Sequence, residues 1–481
     1  MVNYFLTFFI FNYHYKPSIK VSNMFKAHHY LKIGLCICFL QEVNAQNLSF
    51  SDAYNKMYQN NNALKAVNKQ NETQEYVTKS IKSLRYPTLN AYAMGVVFDK
   101  KIDLSFNDAR NNLANLLQLP NPSILGNWQV PVGKKEMAFA GFNALWLIFT
   151  GGKINAAIKA GEIETEIAAK NITSTENHLI SELTQRYFQV KLADEALAVH
   201  QQVLDGMNMH LYNATKLEKN GIIAPVEKLV ADVAVSEAKR EVLAAEKNTK
   251  LARTALANTL DADTINEDLT SNFFTMIDLK SLNFYKESAI TNYPELQKII
   301  LQKDLAEQGI KVKKAMYYPN VAAFGQTVLL HNEPVGFGIL DSSRERPWVV
   351  GIGVTYNIFD GLKSRNELKA AQSTRESIDF IEAKAKKDIT TLVESLYFEI
   401  QKSQDEVENL KVQEELATEL LRVRKRAFAE GLATSTDVVD AENNLSVVKL
   451  LIVNTQYAYI VSLANLFELS GISQEFLNYT N

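Results

Sequence analysis

The chain has 481 residues, of which 47% are hydrophobic and 22% are charged, and its 51 Lys and Arg against 54 Asp and Glu leave a formal net charge of -3. This balance lacks the basic excess of a nucleic-acid-binding protein, so we expect no nucleic-acid partner. Only 10 Pro and 19 Gly interrupt the sequence, which predicts long elements. Beyond residue 50 we expect no apolar run of the roughly 18 residues that a spanning helix needs, which argues against a polytopic helical membrane protein.

Residues 1–45 are predicted to be a secretory signal peptide. Basic and histidine residues between positions 26 and 32 precede an apolar run at 33–40, and Val43-Asn44-Ala45 then offers a small-residue cleavage site. An N-terminal anchor helix is the alternative, but this apolar run is short for a spanning helix. A second apolar run upstream is not needed by a signal peptide, so we expect Met24 to be the true start.

The only two cysteines, Cys36 and Cys38, both lie in this predicted signal peptide. A lipoprotein signal would need a small residue directly before the cysteine, whereas Leu35 and Ile37 stand there. The mature chain is therefore expected to hold no cysteine. This excludes disulfides and thiolate metal sites.

The chain repeats itself at two fixed offsets. An offset of 232 residues relates the Tyr-Pro pair at 86–87 to the pair at 318–319, and an offset of 210 relates the Ile-Phe pair at 148–149 to the pair at 358–359. The 22 residues by which the offsets differ must lie in one loop of the first copy, before Gly141. The sequence therefore predicts two copies of one structural unit. The expected division is a first repeat at 46–260, a linker at 261–281, a second repeat at 282–470 and a tail at 471–481.

The later part of each repeat carries apolar residues every seven positions, which is typical of a coiled-coil seam. The residues with this spacing are Leu183, Val190, Leu197, Leu204 and Leu211 in one helix, Ala231, Ala238, Ala245 and Ala252 in the next, and Val438, Leu445, Ile452, Tyr459 and Leu466 in the second repeat. The run from Lys153 to Asn220 predicts a helix about 100 Å long at about 1.5 Å per residue.

Before each long helix the apolar pattern changes to a period of two residues, which is clean in one segment only. The apolar face of the clearest segment consists of Trp348, Val350, Ile352, Val354, Tyr356 and Ile358, and the residues between them are mostly small or polar. This alternation is typical of a transmembrane β-strand that faces lipid on one side, although a half-buried strand in a soluble sandwich shows it too. Through the repeat we expect partner strands at 88–98, 138–149 and 320–330.

Four strands cannot close a membrane barrel, because the smallest such barrels use about eight and an open edge in lipid leaves backbone groups unpaired. The chain is therefore expected to share strands with copies of itself. The predicted fold class is a mixed α and β membrane protein, with a long α-helical coiled-coil barrel and a trimeric 12-stranded transmembrane β-barrel to which each chain gives four strands.

These features resemble the TolC-type outer-membrane efflux family, the outer membrane factors. The motifs that carry the resemblance are Tyr86-Pro87-Thr88-Leu89, Asn357-Ile358-Phe359-Asp360-Gly361 and the hairpin from Phe428 to Ala441. The resemblance implies a homotrimer in the outer-membrane lipid of a Gram-negative bacterium, with a helical tunnel in the periplasm. It also implies a passive exit duct of a tripartite efflux or type I secretion system, docked by a periplasmic adaptor and an inner-membrane pump.

Gly221 and Gly431 each stand between two predicted helices, where glycine reverses the chain at little cost. The resemblance implies that these hairpin tips contact the adaptor, with Ile222 and Leu432 as exposed apolar knobs. Without the family, an isolated exposed apolar residue needs no explanation. The full tips are Asn220-Gly221-Ile222 and Glu430-Gly431-Leu432.

Acidic residues follow each tip. Glu227 and Asp437 stand six residues beyond the tip glycines, and Asp440 adds an acid one helical turn further on. Such acids usually lie on a solvated helix face, but in a trimer Asp437 and Asp440 would form stacked carboxylate rings. The resemblance implies a cation-binding selectivity gate at these two aspartates. Phe428 and Ala433 stand where the resemblance implies the tyrosine and arginine of a latch, so that latch cannot form. The sequence leaves open how the channel closes, with an apolar constriction at Phe428 as one candidate.

The sequence offers no catalytic constellation. The Gly151-Gly152-Lys153 motif lacks the further residues of a phosphate loop, and the histidines show no metal-ligand spacing. We therefore predict no enzyme, no metal site and no cofactor. A periplasmic coiled-coil adaptor or scaffold without a pore is the alternative function.

Overall fold

A computed structural model of the chain describes residues 47–100, 103–131, 135–331 and 348–480. The predicted signal peptide and both cysteines lie outside these residues. The elements in chain order are β1 (Asn47–Leu48), α1 (Phe50–Asn60), α2 (Asn62–Lys82), β2 (Thr88–Val97), β3 (Asp103–Ser105), α3 (Asn107–Leu116), β4 (Gln129–Pro131), β5 (Glu136–Thr150), α4 (Lys153–Lys219), α5 (Pro225–Thr259), β6 (Asp268–Leu269), α6 (Leu282–Asn292), α7 (Pro294–Lys314), β7 (Asn320–His331), β8 (Trp348–Thr355), α8 (Lys363–Ala429) and α9 (Ser435–Leu469).

The elements of the two halves lie at the two sequence offsets. α6 and α7 begin and end 232 residues after α1 and α2, and α8 and α9 begin and end 210 residues after α4 and α5. α4 and α8 have 67 residues each, so each is about 100 Å long at about 1.5 Å per residue. The predicted long helix of the first half is therefore confirmed, with Asn220 as its C-cap.

The seven-residue spacing places its members between the paired helices. The four alanines of α5, from Ala231 to Ala252, are buried against α4, and the five seam residues of α9, from Val438 to Leu466, are buried against its neighbours. Small residues let two helix backbones approach closely, whereas larger residues fill the wider contact. The heptad pattern thus decides which side of each helix is buried.

The main hydrophobic core forms where α1, α6 and the C-terminal turn pack against α4, α8 and α9. Tyr187 is fully buried at its centre, next to the rings of Phe50 and Phe188. The Tyr187 hydroxyl donates to the Leu48 carbonyl oxygen at 2.7 Å and accepts from the Ser271 amide at 3.1 Å. The tyrosine therefore joins α4 to the N-terminal strand and to the 261–281 segment.

The four predicted strands form one antiparallel sheet in the order β2-β5-β7-β8. β2 and β8 are its edge strands, and neither has a second partner among the described residues. The predicted apolar face from Trp348 to Val354 is exposed in the single chain. An exposed apolar face next to two open edges is a surface for association.

The sequence overestimates the length of the last strand. β8 ends at Thr355, so Tyr356 and Ile358 lie beyond it, although both remain exposed. Thr355 pairs with Asn320, the first residue of β7, and Pro319 before it has no amide hydrogen with which to continue the ladder. The partner strand therefore sets the end of β8.

The extra residues of the first half form a folded module in the loop between β2 and β5. β3 and β4 pair as a short hairpin around α3, and the Phe106 amide donates to the Trp128 carbonyl at 2.7 Å. The Trp128 indole donates to the Leu125 carbonyl at 2.9 Å, and Arg110 donates to the Gly126 carbonyl at 2.7 Å. The insertion is thus held together by its own hydrogen bonds.

Within the described residues, α9 alone is long and apolar enough to cross a membrane by length and composition. The sequence expectation that no such run exists beyond residue 50 is wrong for this helix. Ile460, Leu463 and Phe467 of α9 are buried in the main core. Packing within the protein therefore explains part of its apolar character.

We predict that Tyr187→Phe destabilises the fold by about 1–3 kcal/mol, because it leaves the Leu48 carbonyl and the Ser271 amide without their buried partner. Thermal unfolding of the purified protein, followed by circular dichroism, measures the change. Tyr212→Phe is the matched control, since Tyr212 is exposed. Equal unfolding temperatures for the two variants would contradict this role.

Candidate gate at the helical hairpin tips

The two hairpins, α4–α5 and α8–α9, end in turns of the same geometry. Gly221 and Gly431 have φ angles of 72° and 75°, in the left-handed region that glycine adopts without a Cβ clash. The amide after each glycine closes the turn onto the preceding helix. These bonds join Ile222 to the Leu217 carbonyl at 2.9 Å and Leu432 to the Ala427 carbonyl at 2.8 Å.

The two tips lie side by side and expose apolar residues. Ile222 is 56% exposed and Leu432 is 78% exposed. The Ile222 Cγ2 atom lies 3.8 Å from the position that a Cβ atom would take on Gly431. The sequence-predicted knobs are therefore neighbours on one surface, which also includes the exposed Asn220 and Glu430.

Phe428 lies inside the hairpin pair and not on its surface. The side chain is only 2% exposed and packs against Ala214, Ala231 and Val438, one residue from each of the other three helices. Its ring centroid is 4.6 Å from that of His210. This burial argues against an apolar constriction at Phe428, because a buried ring cannot line an opening in this conformation.

Asp437 caps its own helix. Its Oδ2 accepts from the Thr434 amide at 2.9 Å and from the Thr434 hydroxyl at 2.8 Å, and its amide donates back to that hydroxyl at 3.2 Å. The Arg424 guanidinium lies 3.4 Å from Oδ1. The Thr434 amide, then its hydroxyl, and the Arg424 charge hold the pKa of Asp437 below its usual value. The carboxylate is therefore ionised near neutral pH.

Glu227 stands at the equivalent position of the first repeat but bonds differently. Its Oε2 accepts from the Ser435 amide at 2.6 Å, which connects the first turn of α5 to the first turn of α9. Ala224 occupies the place of Thr434 and offers no hydroxyl to cap α5. Glu227 is thus free to link the two hairpins.

Asp440 lies one turn beyond Asp437 and is exposed. Among the residues that the structure describes, no hydrogen bond or ion pair reaches its carboxylate. The three predicted acids therefore do not form one cluster within a single chain. Asp437 caps a helix, Glu227 joins two hairpins, and Asp440 projects alone.

His210 contacts Ser435 as Glu227 does, and we call these three residues the tip junction. The sequence analysis did not single out His210 as a functional residue, because it has no ligand spacing. It is 5% exposed, and its Nε2 lies 3.2 Å from the Ser435 hydroxyl. Burial lowers the pKa of His210, the Lys425 charge lowers it further, and Glu227 opposes both. The imidazole is therefore neutral near pH 7. The signal that could have found it is its position on the buried seam of α4, next to Leu211.

One more ion pair ties α8 to α9. Lys425 Nζ lies 2.7 Å from the carboxylate of Glu442, which is largely buried. Glu442 also packs against Gly206, where an added Cβ would lie 3.0 Å from Oε1. No group of three or more His, Cys, Asp or Glu that could hold a metal ion occurs in the described part of the chain.

The sequence profile of the outer membrane efflux protein family matches residues 53–261 and 286–472. The chain therefore belongs to the outer membrane efflux protein family, and the resemblance drawn from its motifs is confirmed. The two matched stretches each contain one pair of long helices. No curated protein sequence matches the chain.

Three solved structures illustrate the fold. A membrane protein from Pseudomonas aeruginosa has a TM-score of 0.73 and 16% identity, over 88% of this chain and 90% of that one. The outer membrane protein VceC from Vibrio cholerae has a TM-score of 0.72 and 14% identity, over 88% and 96%. The Campylobacter jejuni CmeC outer membrane channel has a TM-score of 0.72 and 14% identity, over 88% and 86%. The chain thus shares the fold of outer membrane channels.

We predict that acidification weakens the junction through His210. Because its folded-state pKa is lowered, its stabilising contribution is present above its unfolded pKa of about 6.5 and is lost as the pH falls through the folded value. His210→Gln keeps a polar side chain without a titrating ring, so its thermal unfolding temperature is expected to fall less than that of the parent between pH 7.5 and 5.

The matched control for this measurement is His200→Gln, which changes a histidine on the same helix outside the junction. This variant is expected to lose as much stability on acidification as the parent protein. Identical pH dependence in the parent and in His210→Gln would show that another group causes the effect.

Proposed function

We propose that this chain is the exit duct of a tripartite efflux or type I secretion system, a passive conduit from the periplasm to the exterior. A periplasmic adaptor and an inner-membrane pump dock to it and supply the energy. The observation that carries this proposal is an exposed apolar four-stranded sheet, with two open edges, at one end of two hairpins about 100 Å long. Membership of the outer membrane efflux protein family supports it.

A homotrimer accounts for the open edges. A lipid-facing edge strand would leave its amide and carbonyl groups unpaired, at several kcal/mol each. If β8 of one copy pairs with β2 of the next, three copies close a 12-stranded barrel with no free edge. The apolar side chains from Trp348 to Val354 would then face the lipid.

The duplication also indicates how the helices of two copies meet. Within the chain α7 packs against both α4 and α8, whereas its repeat counterpart α2 packs against α4. In the α7–α4 contact, Lys298 Nζ donates to Asn171 Oδ1 at 2.8 Å. Ala66 is the repeat counterpart of Lys298 at the offset of 232, and Ile381 is the counterpart of Asn171 at the offset of 210. Both counterparts are exposed. We infer that α2 packs against α8 of a neighbouring copy.

The hairpin tips then point into the periplasm. Ile222 and Leu432 would offer an apolar contact to the adaptor, together with the rest of the two tips. Asp440 and Asp437 of three copies would form two rings of carboxylates where the helices converge, and such rings attract cations. Glu227 and His210 would hold the two hairpins of each chain together beside these rings.

We predict that the purified protein forms ion-conducting channels in planar bilayers and that Asp440→Asn weakens their block by multivalent cations. The Asp440 carboxylate has no partner among the described residues, so the change removes charge without removing a structural bond. The blocking concentration is expected to rise at least about tenfold, equivalent to ~1.4 kcal/mol. Current recordings with a trivalent cation measure it.

Asp405→Asn is the control for charge, since Asp405 is an exposed acid of α8 far from the tip. If multivalent cations block Asp440→Asn as strongly as the parent channel, Asp440 is not part of a cation-binding gate. A folded protein that never conducts would instead favour an adaptor or scaffold without a pore.

We predict that Ala66→Cys combined with Ile381→Cys gives cross-linked dimers and trimers when a short bismaleimide is added. The natural cysteines precede residue 46, so the processed chain would carry only the introduced pair. Denaturing gels show the products. Ala66→Cys with Lys402→Cys is the control, because Lys402 lies about 30 Å further along α8 at about 1.5 Å per residue. Cross-linking in neither variant would contradict the α2–α8 contact.

A further inference from the structure

A basic depression lies where α7 ends and α4 begins, next to the ends of the sheet strands. Lys159 of α4 and Lys311 and Lys314 of α7 border a volume of about 440 Å³. We call this depression the basic notch. Its remaining lining consists of Gly151, Gly152, Asn155, Ala156 and Gln308.

The notch keeps an excess of positive charge. Lys311 Nζ donates to Gln308 Oε1 at 3.2 Å, which leaves its charge uncompensated. Within the described residues the Lys314 ammonium has no hydrogen-bond or ion-pair partner. Lys159 lies 3.5 Å from Glu162, but that carboxylate is also 3.0 Å from Lys82 and is therefore shared by two ammonium groups. Such a depression favours an anion.

The second repeat shows what the notch lacks. At the start of α8 the Asp360 carboxylate accepts from the Ser364 amide at 2.9 Å and so neutralises the positive end of the helix dipole. At the start of α4 the equivalent residue is Thr150, whose hydroxyl is 3.4 Å from the Ile154 amide. No acidic residue stands in the first turn of α4. A negative charge is therefore missing on the side of the notch.

The helix dipole explains the positions of only two of the three lysines at the notch. Lys311 and Lys314 lie in the last turn of α7, where cations stabilise the helix dipole. Lys159 lies in the second turn of α4, where the dipole gives a cation no such stabilisation. Lys159 instead lies near Glu162, a carboxylate that Lys82 shares, so its charge adds to those of Lys311 and Lys314 at the notch.

The surroundings indicate which anion this is. Tyr317 and Tyr318 follow α7 and are exposed, and Tyr86 and Trp146 are exposed at the same end of the sheet. Aromatic side chains at the end of lipid-facing strands typically mark the membrane interface. The notch lies just on the helical side of this aromatic group, which would place it near the lipid headgroups if the sheet is inserted as proposed.

We propose that the basic notch binds the phosphodiester of an anionic phospholipid in the periplasmic leaflet of the outer membrane. The proposal rests on the proposed insertion of the sheet in that membrane. The three ammonium groups hold the phosphate, and the neighbouring tyrosines pack against the upper part of the acyl chains. Basic pockets at the membrane surface bind acidic lipid headgroups in this way.

The test compares lipid retention by the purified full chain in neutral detergent, measured by native mass spectrometry. The probes are phosphatidylglycerol and phosphatidylethanolamine, with inorganic phosphate as a competitor. We expect phosphatidylglycerol to be retained preferentially, and Lys159→Gln with Lys311→Gln and Lys314→Gln to weaken that retention at least about tenfold. The control Lys384→Gln with Lys402→Gln and Lys411→Gln makes the same charge change on exposed lysines of α8 and is expected to behave as the parent.

Equal retention in the triple notch variant and its control would overturn the proposal. Displacement of the lipid by millimolar inorganic phosphate would also overturn it, because the notch would then be a site for free phosphate. Lys159→Arg keeps the charge and is expected to retain the lipid, which separates the effect from misfolding. Conductance in bilayers of neutral lipid is expected to persist in the notch variant, so a failure here is distinguishable from a failure of the channel function.

Discussion

The unpaired outer edges of β2 and β8 are the constraint on which the other features of the structure depend. Each edge presents amide and carbonyl groups that no element among the described residues satisfies, and lipid offers no water to bind them. An exposed apolar face on the same sheet makes solvation in water equally unfavourable. Such a sheet is stable only in contact with further strands, which copies of the chain would supply in the proposed trimer.

The duplication explains why a single chain can serve this arrangement. Each half supplies one pair of strands and one long hairpin, and the helices of both halves begin and end at constant offsets. α7 sits between the long helices of its own chain, whereas its counterpart α2 has a long-helix neighbour on one side. Each long helix therefore has a short-helix neighbour at the centre of the chain's helical layer, whereas the outer side of α2 has no long-helix neighbour among the described residues. The unmatched surfaces are those of α2 and α8, on the same two sides as the open edges of the sheet.

Much of this architecture could be predicted from the sequence because its helices and strands follow the spacing of the apolar residues. The seven-residue spacing predicted the long helices, and the two-residue spacing predicted the strand that begins at Trp348. The repeat then extended that prediction to the other three strands. What depended on distant partners could not be predicted. The end of β8 is set by Pro319, which directly precedes the neighbouring strand β7, and the burial of Phe428 depends on residues from three other helices. The Thr434 cap could have been predicted from the sequence, since a threonine three residues before an acid is a local signal for the start of a helix.

The tip junction shows how two copies of one motif came to differ in their roles. Thr434 gives Asp437 a partner on its own helix, so that acid stabilises the start of α9. Ala224 has no hydroxyl and so gives Glu227 no such partner. Glu227 instead accepts from the Ser435 amide, while His210 contacts the hydroxyl of the same serine. The loss of one hydroxyl in the first repeat therefore converts a helix cap into a bond between hairpins. Any movement that separates the hairpins must break this bond and expose Phe428, whereas the capped start of α9 can move as a unit.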